Sequence, residues 1–127
     1  MTTTLQFLDF SATDLPTLAS AMGDTRVTQF YGLETTQTDA RAIAKEQLVW
    51  YQELAKDGDG WWQAICISGQ VVGGIGIYDL EEDGNSAELG YWLLPSHWGL
   101  GLMRSALPQW LPSAFARLQL HNCVAYV

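Results

Sequence analysis

Short alternating runs and helical spacings divide the chain into a readable series of elements. Residues 5–10 (LQFLDF) alternate apolar and polar positions and predict a first strand. Ser11 and Thr13 offer caps for a helix over 14–22, with Pro16 accommodated in its first turn. Residues 23–36 show neither period and read as irregular; they carry Phe30 and Tyr31. Thr38 opens a longer helix to residue 56. Within it Ile43, Gln47, Leu48, Tyr51 and Leu54 recur at helical spacing with one polar interruption, and Gly58 stops it.

Residues 61–68 (WWQAICIS) predict the next strand. Ser68, Gly69 and Gln70 carry turn chemistry, and 71–78 returns as the hairpin partner. Gly73, Gly74 and Gly76 weaken that returning strand or mark close packing against it. After a turn at 79–85 (DLEEDGN), residues 87–94 form another strand, so 61–94 predicts a three-stranded antiparallel meander. A helix follows over 100–118 and contains Pro108 and Pro112. An interior proline deletes an i→i−4 hydrogen bond and costs about 3 kcal/mol, so kinks or a break near Pro112 are expected. Residues 122–127 (NCVAYV) read as a last strand, and strand–helix–strand implies a right-handed crossover with a parallel pair at that edge. The sequence stops inside this apolar strand. Either the strand ends the fold at an edge or the sequence is a fragment.

The 127 residues make one domain, long enough to bury about two-thirds of the unfolded surface. With 48% hydrophobic and 16% charged residues, the chain is globular rather than disordered. Fourteen acidic against six basic residues give a net charge of −8, which argues against nucleic acid. The same charge suits a cationic or amine substrate, and equally serves plain solubility. Cys66 and Cys123 sit in apolar runs and read as buried reduced thiols, with no disulfide framework and no metal-ligand spacing. The N-terminus is not a signal peptide, and no apolar run is long enough to span a membrane. Cytoplasm is the expected compartment.

The chemistry concentrates in 87–103, AELGYWLLPSHWGLGLM. A strand, a turn with Gly99 and Gly101, and a helix N-terminus form an anion cradle. The first helical amides lack internal partners, the helix dipole adds about +0.5 charge there, and glycines allow close approach of a phosphate. Glu88 precedes the cradle by one strand length. Its parity groups it with Gly90, Trp92 and Leu94, opposite Leu89, Tyr91 and Leu93.

On three segments the sequence resembles the GNAT superfamily of N-acetyltransferases. LQFLDFSATDLPTLASAM is similar to the family's opening strand and helix, with Asp14 in a family position. VVGGIGIYDLEEDGNSAELGYWLLPSHWGLGLM is similar to its glycine-rich strand, turn, "aeiGywl.P" strand and "ywGkGy" loop. AFARLQLHNCVAYV is similar to the end of the cofactor helix and the strand after it. The branch most resembled contains the Rim-type ribosomal-protein N-terminal acetyltransferases. The resemblance implies an α/β (α+β) fold: a mixed sheet with an antiparallel meander, one parallel strand pair and helices on both faces. It implies acetyl-CoA as donor and a primary amine, on a protein N-terminus or a small molecule, as acceptor. It also admits a homodimer.

By position, the resemblance implies that His97, Trp98, Gly99, Leu100, Gly101, Leu102 and Met103 hold the pyrophosphate through backbone amides. The edge at Leu93 and Leu94 would pair with the pantetheine arm, admitted by a splay from the last strand. Ser96 and Ser105 depart from the Gln or Arg and the Glu that the family often has there. The family also continues beyond 127 with a further helix and two strands, so 1–127 is expected to be a single such domain lacking that last part.

A primary amine is an ammonium at neutral pH and must lose a proton before attacking a thioester. Glu88 is the acid inside the central strands and the candidate base; a strand-start carboxylate that is solvated or paired with an Arg is the competing reading. Phe30 and Tyr31 are candidate walls of the acceptor site. Trp50 is a further one that reads better as core. Arg104 reads equally as a phosphate contact or an exposed helical Arg, His97 as a loop residue and Tyr126 as core. The acidic run 81–83 reads as a solvated hairpin tip. The alternative function is a non-catalytic acyl-CoA-binding or regulatory module. A nucleotide-binding Rossmann unit is disfavoured, because a meander precedes the glycine loop.

Overall fold

The computed structural model describes residues 4–31, 39–81, 86–120 and 124–125, without the side chains of 29–31 and 124–125. The expectations on Cys123, Tyr126 and the tip at 82–85, and on the side chains of Phe30 and Tyr31, therefore lie outside the described residues. Strand β1 (Gln6–Asp9) leads through a 3-10 turn at Ala12–Asp14 into α1 (Leu15–Met22). The Ser11 amide donates to the Asp14 carboxylate at 2.9 Å and fixes that turn.

Helix α2 (Thr25–Tyr31) corrects the irregular reading of 23–36. The Asp24 carbonyl accepts from the amides of Val27 and Thr28, and its carboxylate takes the Arg26 amide at 2.9 Å and the Arg26 guanidinium at 2.7 Å. Burial of Val27 and Thr28, at 2% and 3% exposure, anchors the short helix against α1 and the sheet. Helix α3 (Ala40–Asp57) starts later than the expected Thr38. Its cap is Asp39, whose carboxylate accepts from the amides of Arg41 and Ala42. Gly58, in the left-handed region at φ 73°, closes it onto the Leu54 carbonyl.

Strands β2 (Trp61–Ile67) and β3 (Gln70–Tyr78) form a hairpin through Ser68 and Gly69, both at positive φ, as a two-residue turn of type I′ requires. Strand β4 (Glu88–Leu93) completes the meander, helix α4 (Leu102–Leu118) follows, and the two-residue β5 (Val124–Ala125) lies in parallel register beside Glu88 and Leu89. The sheet order is β1-β2-β3-β4-β5, with β1 to β4 antiparallel. The fold is mixed α/β. Among the described residues no helix is long and apolar enough to cross a membrane.

Alternation along the strands splits the core into two. Ile65, Ile75, Ile77 and Leu89 pack on one face under the α4 stripe Leu102, Ala106, Trp110 and Ala114. Trp62, Ala64, Cys66 and Trp92 pack on the other face against Leu18, Met22, Ile43, Leu48 and Tyr51 of α1 and α3. Each large side chain so buried is worth about 1.5–3 kcal/mol, which is what holds these short elements in place. The Trp110 indole donates to Gln63 at 3.1 Å and the Gln63 amide to Asp9 at 2.9 Å, tying α4 to β2 and β1.

Helix α4 runs through Pro108 and Pro112, against the expected break. The two prolines are one turn apart and exposed, opposite the every-fourth buried stripe. The carbonyls they leave without an amide therefore face water. The β3 glycines serve close packing. A Cβ on Gly76 would fall inside the Trp62 ring, and one on Gly74 would lie 2.6 Å from the Trp92 indole nitrogen.

Candidate functional site

The polypeptide leaves β4 through a 3-10 turn at Pro95–His97 before entering α4. That turn consumes the amides of His97 and Trp98, which donate to the carbonyls of Leu94 and Pro95 at 2.9 and 3.1 Å. These two amides are thus committed internally, a correction to the expectation that the whole run from His97 to Met103 offers free donors. The loop's backbone bonds stop there: among the described residues, no amide from Gly99 to Gly101 donates to a backbone carbonyl. Gly99 and Gly101 take φ of 76° and 71°, and among the described residues nothing lies within 4 Å of a Cβ built on either. Gly101 caps α4, whose first helical bond runs from Ser105 to the Gly101 carbonyl at 3.2 Å. The amides of Leu102, Met103 and Arg104 precede that bond and have no helical partner. The result is an open, glycine-lined mouth on a helix N-terminus, with no acidic residue in the first turn and Arg104 exposed beside it.

Leu93 and Leu94 are only partly available. The Leu94 amide donates to the Val72 carbonyl at 2.9 Å and so belongs to the β3 side of the ladder. By the alternation of an antiparallel pair, the backbone groups of Leu93 point the other way. The Leu93 carbonyl accepts the Trp98 indole N–H at 2.9 Å. Beyond Leu89, no partner on the β5 side is in register with β4 among the described residues. The free edge is therefore narrower than the sequence suggested. Leu100 is 64% exposed at the loop tip. Ser96 and the His97 ring share a 2.9 Å hydrogen bond, consistent with a loop role for His97.

Glu88 stands at the start of β4, half-buried, roughly 20 Å from Leu94 at 3.3 Å per strand residue. Tyr78 is its cross-strand neighbour. A hydrogen bond shared with the Asp79 carboxyl pushes Glu88 above its ordinary value, burial and the Asp79 charge add to this, and a hydrogen bond with Tyr78 opposes it. Burial raises the Tyr78 phenol in turn, with the charges of Glu88 and Asp79 behind it. Among the described residues no Arg pairs with Glu88; the cationic partner imagined from the sequence is replaced by an acid and a phenol.

Tyr78 and Trp50 meet edge to face at 5.5 Å between ring centres, and Trp50 lies 5.9 Å from Trp62. Half-buried Trp50 thus belongs to an aromatic wall next to Glu88 as well as to the core edge. Phe30 and Tyr31 fall in the last turn of α2, a helix packed against β4. Asp79, Tyr78 and the Trp98 indole were not singled out from the sequence. Tyr78 was findable from hairpin register; Asp79 was not.

A four-stranded antiparallel sheet flanked by helices, with a glycine turn feeding α4, is the arrangement of an α/β domain with an anion-binding loop. The acetyltransferase (GNAT) domain family model matches residues 4–127, and the chain belongs to that family. An uncharacterized N-acetyltransferase of Bacillus subtilis (strain 168), YoaA, is 28% identical over 116 residues, covering 90% of this chain. The chain spans 64% of that curated relative's length. Two solved structures share the fold. One is an acetyltransferase of Salmonella typhimurium that modifies the N-terminal serine of a 50S ribosomal subunit protein (TM-score 0.79, 21% identity, covering 98% of this chain and 71% of that one). The other is spermidine N-acetyltransferase from Vibrio cholerae in complex with CoA and spermine (TM-score 0.77, 17% identity, 95% of this chain and 69% of that one).

Proposed function

We propose that this domain binds acetyl-CoA at the loop before α4 and transfers the acetyl group to a primary amine, with Glu88 as the proton acceptor. The observation that carries the reading is the glycine mouth: among the described residues, amides from Gly99 to Arg104 stand outside the loop's own hydrogen bonds, around two left-handed glycines with open space at their Cβ positions. An anionic diphosphate is the ligand such a run favours, through the backbone donors and the helix dipole together. Gly99, Leu100, Gly101, Leu102 and Met103 supply these contacts. His97 and Trp98 shape the loop. Leu93 offers its amide along the β4 edge, and Leu94 holds that edge to β3. The donor supplies an activated acyl carbon. Glu88 takes the proton that an ammonium must shed before its nitrogen can attack. The aromatic wall of Trp50 and Tyr78, with Phe30 and Tyr31 of α2, is our candidate boundary for the acceptor.

The match to the "aeiGywl.P" and "ywGkGy" runs supports the Rim-type branch and hence a protein N-terminus as acceptor; a small amine is the other member of this reading. A cytoplasmic location, one domain over 1–127 and a homodimer complete it. The natural gene product's mass and its sedimentation test the last two. Calorimetry with CoA, followed by an acetyl-CoA-dependent thiol-release assay on a panel of amines and N-terminal peptides, tests the function. CoA binding with amine-dependent thiol release supports it, and absence of CoA binding overturns it. The second reading is a non-catalytic acyl-CoA binder. Binding without thiol release would select it.

A further inference from the structure

Gly76 and Gly90 are partners across β3 and β4, and rings take the space their missing side chains leave. A Cβ built on Gly90 would lie 3.0 Å from Tyr78 Cε1 and 3.0 Å from the far edge of the Trp62 indole. Both rings therefore lean over β4, on the face that carries Glu88 two residues earlier. Glu88 is also the direct register partner of Tyr78, which sets their Cβ atoms about 5 Å apart. Trp50 of α3 meets Tyr78 nearly at a right angle, with ring centres 5.5 Å apart and planes at 68°. Tyr78 gives one face to Trp62, at 6.1 Å and 23°. Trp50, Tyr78 and Glu88 are all half-buried, so each keeps some surface open to solvent.

We propose that Trp50, Tyr78 and Glu88 form a cage for the acceptor's ammonium group, two rings at right angles beside one carboxylate, and that this cage also takes quaternary ammonium ions as ligands that cannot react. The inference rests on the reading of Glu88 as proton acceptor. The face of an aromatic ring carries negative potential and attracts a cation. The rings hold the charge without taking a proton, and the carboxylate supplies the base. Glu88 takes one N–H proton, and the freed lone pair forms the N–C bond at the thioester carbonyl. The C–S bond breaks, and the next proton on the nitrogen goes to the leaving thiolate. A trimethylated nitrogen is attracted by the same rings. It has no N–H to give up and no lone pair, so it fills the cage and stays.

The surroundings suit a cation from outside. The cation–π pair the fold makes for itself, Arg117 at 4.5 Å from the Trp61 ring centre, lies on the opposite, α4 face. On α2, Arg26 is engaged by Asp24 at 2.7 Å. Along α3, Glu46 and Glu53 lie one turn to either side of Trp50 and are exposed, and exposed Asp79 follows Tyr78. The charges set beside the two rings are acids, which draw a cation and repel an anion.

The test is an NMR titration of nitrogen-15-labelled protein with choline and with its neutral analogue, in which a tert-butyl group replaces the trimethylammonium. The indole N–H signal of Trp50 is the reporter in wild type, and the backbone amides of Tyr78 and Glu88 serve in variants. The Trp50 signal is expected to shift saturably with choline, and the neutral analogue to bind about tenfold more weakly. Trp50→Leu keeps apolar bulk and loses the ring. It is expected to weaken choline about tenfold and to leave the neutral analogue unchanged, whereas Trp50→Phe keeps most of the choline affinity. Equal affinity for the two probes, or choline that leaves the Trp50 signal unmoved, overturns the proposal. That comparison is made on wild type and stands whether or not Trp50→Leu folds. Kinetics add the functional arm. Choline is expected to inhibit acetyl transfer in competition with the amine and not with acetyl-CoA; competition with acetyl-CoA instead overturns the placing of the cage at the acceptor. A wild type that binds CoA but acetylates no amine removes the parent reading, whereas the choline arm still decides whether the cage exists.

Discussion

The Trp98 indole donates to the Leu93 carbonyl at 2.9 Å, so the loop before α4 is bolted to the strand it leaves. This bond sits where the strand edge would otherwise offer a second acceptor to an incoming chain. Its effect is to fix the loop's shape before any ligand arrives, and preorganisation of this kind converts into affinity. A neutral hydrogen bond is worth about 1 kcal/mol. Trp98→Phe is therefore expected to weaken CoA binding about fivefold while leaving the melting temperature within a few degrees, by calorimetry and thermal unfolding. Tighter binding in the variant would mean that the Leu93 carbonyl is itself a ligand contact.

The second prediction concerns Gly101. Its surroundings are open, so the cost of a side chain is conformational rather than steric. Gly101→Ala at φ of 71° is expected to destabilise the protein by about 1–2 kcal/mol in urea unfolding. Gly101→Glu adds a negative charge at the cradle and is expected to abolish CoA binding.

Gly76 presents the opposite case. The Trp62 ring lies across its Cα, and a methyl there has nowhere to go. Trp62 is held by Tyr51, stacked at 4.8 Å, and by Trp50 behind it. Gly76→Ala is expected to cost about 3 kcal/mol through overpacking, read as a fall in the urea midpoint.

Glu88→Gln separates chemistry from stability. Turnover is expected to fall by about 10²–10⁴ with CoA affinity kept. The folded state raises the proton affinity of Glu88, so the stability this group contributes is present below its unfolded value and is lost as pH rises through the folded one. Gln does not titrate. The stability of Glu88→Gln relative to wild type is therefore expected to increase with pH across that window and then level off, in urea midpoints measured from acid to neutral pH. A difference that shrinks with rising pH would contradict the sign.

The meander was legible because its residues obey period two and its turn residues are specific: Ser68 and Gly69 adopt the positive φ that a tight hairpin needs. The glycine loop was legible for the same local reason. Helix α2 was not, since Thr25, Val27 and Thr28 are β-branched and its anchors, the Asp24 cap and burial against other elements, are invisible to periodicity. The unbroken α4 was missed because proline's cost depends on which face it occupies, and that face is set by the fold. At the site, parity correctly put Glu88 opposite Leu89. It gave no sign that Asp79, at φ of 50°, leaves the strand conformation just after Tyr78.

The central claim is that a diphosphate binds where the turn enters α4. Amide NMR of nitrogen-15-labelled protein titrated with CoA addresses it residue by residue. The account predicts that the largest shifts fall on Gly99, Leu100, Gly101, Leu102, Met103 and Arg104. Saturable CoA binding that leaves these six amides unmoved, with the shifts gathered elsewhere, would contradict it.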